Sequence, residues 1–107
     1  MPVTLVNCFT VPAGREDEFF RLWKEVNAYT RAQPGYVGHK FYRAVAPDSS
    51  FSFVNVAHWE SAEHFRAAHR SDEFRQLVSR PEFAPFPSKP GLYELVHEGA
   101  AAVAGAR

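Results

Sequence analysis

Two asparagines lie inside strand-like segments that are rich in β-branched and aromatic residues. Asn7 lies within VTLVNCFTV and Asn55 within FSFVNVAHW. A buried amide without a hydrogen-bond partner costs about 1–3 kcal/mol. We therefore expect each of these amides to form a hydrogen bond, with a ligand as the candidate partner. Trp59 lies four residues after Asn55, and because side chains alternate across a strand, the two project from the same face. The pattern predicts a catalytic pocket that offers amide groups and an indole N–H to a ligand.

Aromatic and imidazole side chains near this group could form the rest of an apolar, substrate-binding slot. Phe51 and Phe53 precede it on the same strand face, and Phe65 follows in the next helix. His39 and His69 are candidate proton carriers, because imidazole titrates near neutral pH. The sequence does not decide which face of its strand His39 occupies, because the residues on both faces include aromatic and polar types. Such a slot, with donors aimed into it, suits the stabilisation of an oxyanion such as an enolate.

The remaining chemistry-bearing residues give no metal or redox motif. His64 and His69 are five residues apart, not the three or four that place two ligands on one helical face. His58 points to the sheet face opposite Asn55. The single cysteine, Cys8, excludes an intrachain disulfide and has no adjacent base. Because the chain also has no glycine-rich phosphate loop and no CxxC pair, we expect neither a metal nor a cofactor.

The charge balance and the hydrophobic pattern exclude several classes of protein. Lys and Arg number 12 and are offset by 12 Asp and Glu, so no net field draws the chain to nucleic acid or to an anionic membrane. The apolar runs are far shorter than the ~20 residues of a spanning helix. The opening MPVTLVNCFT lacks the basic and apolar regions of a signal peptide. We expect a cytoplasmic protein.

The order of the predicted elements is typical of a ferredoxin-like α+β fold. Ser61 and Ser71, each followed by acidic residues, predict the starts of two short helices. The order βαββαβ predicts a four-stranded antiparallel sheet with helices on one face. A chain of 107 residues fits one domain, which we place at 1–98, with a disordered tail over 99–107. The predicted segments are strand 3–11, helix 15–32, strand 36–44, strand 51–59, a proline-rich loop over 80–91 and strand 92–98.

The second face of the predicted sheet is too apolar to remain in water. Val6 and Cys8 lie on that face of the first strand, and Val54 and Val56 lie on that face of the third. Because the helices cover the other face, these side chains need a partner surface. A second copy of the chain, packed sheet to sheet, would supply that surface. We therefore expect a homodimer.

A signature in the second half of the chain connects it with a known family. The run NVAHWES at 55–61 is followed by Phe65, Ser71 and Phe74 at matching spacings, and the opening contains VNCFTVPAGREDEF. On these residues the chain resembles the antibiotic biosynthesis monooxygenase (ABM) family of dimeric α+β barrels, over about residues 3–98. The resemblance implies that fold and an oxidoreductase of antibiotic biosynthesis. It identifies the reaction less specifically, because the family holds several activities on one scaffold.

Within the family, the nearest pattern is the anthrone monooxygenase of the actinorhodin pathway, which oxidises a polycyclic phenol to a quinone with O2 and with neither metal nor flavin. Its pocket asparagine and tryptophan match Asn55 and Trp59. Its pocket arginine matches Arg75, which follows Phe74, and its pocket tyrosine falls at Phe65. The resemblance implies a cofactor-independent monooxygenase that acts on a small aromatic substrate and O2. Arg75 would stabilise or protonate a peroxide, whereas the phenylalanine departs from the pattern and offers no phenolic proton.

Other activities on the same scaffold remain open. The haem-degrading members keep a pocket asparagine where Asn7 falls. The positions of their pocket tryptophan and iron-ligating histidine hold Ala68 and Val78 here, so a shifted ligand such as His69 would be needed. A polyketide cyclase, a lactone isomerase or a non-catalytic ligand-binding module would also suit an aromatic pocket. Oxygen uptake with a phenolic substrate separates the monooxygenase from these, and a Soret band identifies haem.

Overall fold

The computed structural model describes residues 1–102 and contains one four-stranded antiparallel sheet. Its strands are β1 (Val3–Phe9), β2 (Tyr36–Arg43), β3 (Phe53–Trp59) and β4 (Ser88–Tyr93), and its helices are α1 (Glu16–Thr30), α2 (Ala62–His69) and α3 (Asp72–Val78). The strands pair in the order β2-β3-β1-β4. The predicted βαββαβ order and the ferredoxin-like α+β fold are confirmed.

The helix α1 packs on the sheet through one apolar stripe. Its first turn carries Glu16, Asp17 and Glu18, whose negative charges lie at the positive end of the helix dipole. Phe19 and Leu22 lie on the buried stripe and are each only 1% exposed. The helix α1 is therefore amphipathic. No helix within residues 1–102 is both long enough and apolar enough to cross a lipid bilayer.

Two serines and one glycine determine how the chain enters the short helices. The Oγ of Ser61 accepts a hydrogen bond from the backbone N–H of His64 at 3.1 Å, and the Oγ of Ser71 accepts one from that of Phe74 at 3.2 Å. Both predicted caps are thus confirmed. Gly35 precedes β2 with a φ of +86°, and a Cβ at that position would collide with the His64 imidazole. The glycine therefore allows α2 to lie close to the start of β2.

Aromatic rings form the core between α1 and the sheet. The Phe19 ring centroid lies 4.9 Å from that of Phe9, 5.2 Å from that of Phe53 and 5.3 Å from that of Phe86. Phe86 belongs to the proline-rich segment that precedes β4, so this segment packs against the core through the Phe86 side chain. The cluster fixes α1 over β1 and β3.

The last strand begins earlier than the sequence predicts. β4 spans Ser88–Tyr93, where we expected the end of a loop over 80–91 and only the start of a strand over 92–98. Within residues 1–102, β4 is an edge strand that pairs with β1. Pro90 can occupy it because one side of an edge strand needs no N–H donors. The predicted boundary between the loop and the last strand was therefore wrong. The segment before β4 contains a short 3-10 helix at Pro81–Phe83.

The chain after β4 continues without a helix or strand over 94–102. Leu95 is 74% exposed and Val96 is 86% exposed. Two apolar side chains from the predicted last strand thus lie outside the core of the described residues. Of the predicted tail over 99–107, residues 103–107 lie outside the described part of the chain.

We expect Phe19→Ala to lower the free energy of unfolding by about 3–5 kcal/mol, because it leaves a cavity among the rings of the core. Phe20→Ala is the matched control, since the neighbouring Phe20 side chain is 41% exposed and its loss should cost much less. Urea denaturation of both variants measures the difference. Equal losses would contradict the placement of the core around Phe19.

Candidate active site

The register between β1 and β3 places two amides side by side. Asn7 lies directly opposite Asn55 in the antiparallel pair, and both side chains line one cavity between the sheet and the helices. Trp59, four residues further along β3, lines the same cavity. Asn55 is only 7% exposed and Trp59 only 1% exposed, which agrees with the shared face that the sequence predicts.

Three polar atoms of these residues are buried without a hydrogen-bond partner. Among the described residues 1–102, nothing bonds the Oδ1 of Asn7, the Oδ1 of Asn55 or the Nε1 of Trp59. Buried polar atoms in proteins are nearly always paired, so each exception needs an explanation. Three exceptions on one cavity wall indicate a site whose partner is a ligand.

The cavity has a volume of about 580 Å³, which is ample for a small polycyclic ligand. Every helix contributes to its lining, together with β1, β3, β4, the start of β2 and the proline-rich segment before β4. The lining residues in the described chain include no Asp, Glu, Lys or Arg. Much of the wall consists of the aromatic side chains Trp23, Trp59, Phe65, Phe74, Phe83 and Phe86. A cavity of this kind favours a flat, uncharged, largely apolar ligand with a few polar atoms.

His69 lines the cavity in a fixed tautomer. Its Nδ1 lies 2.8 Å from the backbone carbonyl oxygen of Phe65, and because a carbonyl only accepts, Nδ1 carries the hydrogen. In the neutral ring, Nε2 therefore holds the lone pair. The imidazole is stacked on Phe65 at 4.0 Å and contacts Phe74 at 4.4 Å and Trp59 at 5.7 Å between ring centroids. Burial among these rings lowers the pKa of His69, so the side chain is a neutral proton acceptor at neutral pH.

The sequence did not single out Tyr36 and Asn27, which also line the cavity. The Asn27 Nδ2 lies 3.2 Å from the Tyr36 hydroxyl, and that hydroxyl lies 2.6 Å from the Nδ1 of His39. Burial raises the pKa of Tyr36 and lowers that of His39. A signal was present in α1, since Asn27 falls four residues after Trp23 on the apolar stripe of the helix.

A β-bulge decides which face of β2 carries His39. Tyr36 pairs with Trp59 and Gly38 pairs with His58, so two residues of β2 advance against one residue of β3. The alternation shifts at this point, and Tyr36 and His39 both face α1 although they are three residues apart. Because of this shift, a simple alternation of residues along the sequence of β2 does not identify the face of the strand that packs on α1.

The structure does not bring every predicted site residue to the cavity. Phe65 lines it, but Arg75 is exposed and lies outside the lining. The reason is helical rotation: Phe74 faces the cavity, and the next residue of α3 is turned by about 100°. Phe53 is instead buried in the aromatic core, and Phe51 is half-buried before β3 begins. His39 is not part of the lining, but it contacts two residues that are, Tyr36 and Trp23.

Residues 2–80 match the model of a family described as antibiotic biosynthesis monooxygenase. The chain is 36% identical over 83 residues to a deoxynogalonate monooxygenase of Streptomyces nogalater, which covers 78% of this chain and 60% of that protein. It is also 36% identical over 67 residues to a heme oxygenase (mycobilin-producing) of Mycobacterium tuberculosis, which covers 63% of this chain and 62% of that protein. The matched segments thus span about 60% of the length of these curated relatives.

Solved structures agree with the sequence match. The crystal structure of SnoaB, a cofactor-independent oxygenase from Streptomyces nogalater, superposes with a TM-score of 0.76 at 32% identity. The superposition covers 91% of this chain and 95% of that one. The family match spans most of the chain, and the resemblance of the NVAHWES signature is confirmed. The chain belongs to the antibiotic biosynthesis monooxygenase family.

Proposed function

We propose that this protein is a cofactor-independent monooxygenase that oxidises an aromatic, polyketide-type phenol to a quinone with O2. The observation that carries the proposal is the group of three unpartnered polar atoms, on Asn7, Asn55 and Trp59, in an uncharged aromatic cavity. Such a cavity can hold a flat phenol and stabilise its oxyanion. The similarity to a cofactor-independent oxygenase at 32% identity supports the same conclusion.

The amides and the indole would bind the polar edge of the substrate. An asparagine side chain accepts through Oδ1 and donates through Nδ2, and rotation of the amide exchanges the two positions. Asn7 and Asn55 can therefore accept from a phenolic hydroxyl and donate to the enolate oxygen that replaces a carbonyl. Trp59 donates through Nε1 and also forms part of the aromatic wall. In a cavity that excludes water, these hydrogen bonds stabilise the enolate more strongly than solvent would.

His69 is the base that the cavity offers for this chemistry. Its Nε2 takes a proton from the CH2 group of an anthrone-type substrate, and the resulting carbanion passes one electron to O2. The two radicals combine to form a C–O bond, which gives a peroxide that takes up a proton. Loss of the second C–H proton breaks the O–O bond and releases water. The sum is CH2 plus O2 giving C=O plus H2O, with no external reductant.

Haem fits the cavity less well than a neutral phenol. Two propionates need cationic or polar partners, and the lining residues in the described chain include no Lys or Arg. Among the lining residues that the structure describes, His69 alone carries an imidazole, and its Nε2 could be offered to iron. The uncharged lining therefore suits a neutral phenol and does not suit haem. Titration of the purified protein with haem tests the alternative, because a Soret band that shifts at one equivalent and depends on His69 would support it.

A homodimer formed through the open sheet face is part of the proposal. Val6 lies opposite Val56, and Cys8 lies opposite Val54, on the side of β1 and β3 that carries no helix. Val54→Lys should give a monomer or an aggregate, because a charge would be buried at the interface without a partner. Val45→Lys is the control, since Val45 is 99% exposed. Sedimentation of both variants is the measurement, and a wild-type protein that sediments as a well-folded monomer at micromolar concentration would contradict the dimer.

We expect Asn55→Ala to lower turnover by about 10²-fold, because it removes a hydrogen-bond donor to the enolate. Gln33→Ala serves as a control, since the amide of Gln33 bonds the backbone carbonyl of Tyr29, away from the cavity. Oxygen consumption with an anthrone-type substrate measures turnover, and thermal melts report the folded fraction. Loss of activity only in proportion to loss of folded protein would show that Asn55 is part of the scaffold alone.

The proposed base predicts an acid limb in the pH profile of kcat/KM. Activity requires neutral His69, and burial lowers its pKa, so activity should persist below the ordinary histidine value of about 6.5 and then fall. His69→Gln should remove this limb together with most of the turnover, whereas His97→Gln, which changes an exposed histidine, should keep it. A lowered folded-state pKa also reduces stability at acidic pH. Melts at each pH therefore accompany the rates, and a limb that survives in His69→Gln would exclude His69 as the base.

A further inference from the structure

A chain of hydrogen-bonding side chains connects the cavity with the protein surface. Asn27 and Tyr36 line the cavity, whereas His39 lies behind Tyr36 and is partly exposed. We propose that Tyr36 and His39 form a proton path that carries protons from solvent to the peroxide formed in the cavity. This inference rests on the proposed oxygenase function. It gives Tyr36 and His39 a role in proton transfer, in addition to the binding roles proposed for Asn7, Asn55 and Trp59.

The bond from Asn27 has one direction, whereas the bond between Tyr36 and His39 can run either way, depending on the His39 tautomer. The Nδ2 of Asn27 can only donate, so the Tyr36 oxygen accepts from it at 3.2 Å. The phenolic hydrogen of Tyr36 is then free to point to the Nδ1 of His39 at 2.6 Å. In the other tautomer of His39, Nδ1 carries the hydrogen and donates it to the Tyr36 oxygen, and the phenol turns its own hydrogen toward a ligand in the cavity. The pair can therefore pass a proton inward by two short transfers.

The surroundings keep both members of the pair neutral. Burial raises the pKa of Tyr36, and burial together with the Arg31 cation lowers that of His39. Trp23 holds the imidazole edge-on, with ring centroids 5.3 Å apart. The neighbour of His39 on β3 is Ala57, which carries no charge. A neutral phenol and a neutral imidazole can transfer a proton without leaving a permanent charge in the aromatic cavity.

The phenol of Tyr36 and the proposed base, His69, contact the same indole. The Trp59 ring centroid is 5.1 Å from that of Tyr36 and 5.7 Å from that of His69, both with steep interplanar angles. His69 can therefore hold the proton removed from carbon while Tyr36 protonates the peroxide anion. In that step the Tyr36 O–H bond breaks, the peroxide O–H bond forms, and no electron moves. The Nδ1–H of His39 then passes its proton to the Tyr36 oxygen while Nε2 takes a proton from solvent, so that the phenol is restored and the imidazole ends neutral.

The test compares two phenols that lie in different places. Tyr36→Phe keeps the ring against Trp59 and removes the proton donor, whereas Tyr29→Phe removes a phenol whose partner, Ser71, lies outside the cavity. We expect Tyr36→Phe to lower kcat by about 10²-fold with little change in KM, and Tyr29→Phe to leave kcat unchanged. Oxygen consumption with an anthrone-type substrate gives both constants, and thermal melts confirm that the variants fold.

Chemical rescue separates proton transfer from a structural role. His39→Ala opens space at a partly exposed position, so added imidazole should restore much of its lost kcat, but imidazole should not rescue Tyr36→Phe. Equal kcat values for Tyr36→Phe and Tyr29→Phe would overturn the path, and so would a His39→Ala variant that imidazole does not improve. A folded wild-type protein that consumes no oxygen with anthrone-type substrates would overturn the proposed function, and the path with it.

Discussion

The antiparallel register between β1 and β3 is the constraint on which the site depends. It places Asn7 opposite Asn55, with both amides on the face that the helices cover. A shift of one residue would turn the whole set of side chains to the other side of the sheet. The valines that now lie on the open face would then fill the cavity, and the amides would lie outside it. Register therefore decides whether the same residues form a core or a binding site.

The aromatic core and the cavity are two parts of one layer between the helices and the sheet. Phe19 and Phe86 belong to both, since they pack in the core and also line the cavity. Rings packed at centroid distances near 5 Å make a wall that resists rearrangement. An apolar wall also lowers the local dielectric, which strengthens hydrogen bonds from the cavity's polar groups to a ligand. The stability of the fold and the shape of the cavity thus depend on the same side chains.

The cavity holds neutral groups whose proton affinities are shifted in opposite directions. Burial raises the pKa of Tyr36 and lowers that of His69, because the charged form of each is disfavoured among apolar rings. One group is thereby kept as a proton donor and the other as a proton acceptor at the same pH. The indole of Trp59 contacts both rings. This arrangement suits a reaction in which a carbon loses protons and oxygen gains them.

The sequence by itself determined what depends on local periodicity. Alternation along one strand placed Asn55 and Trp59 on a common face, and the serines before two short helices marked their starts. Tertiary structure alone decided the rest, because those features depend on pairing between distant segments. Pro90 fits a strand only because that strand lies at an edge of the sheet. His39 faces inward only because a bulge against β3 shifts the alternation, and Tyr36 meets α1 only after the helix packs on the sheet.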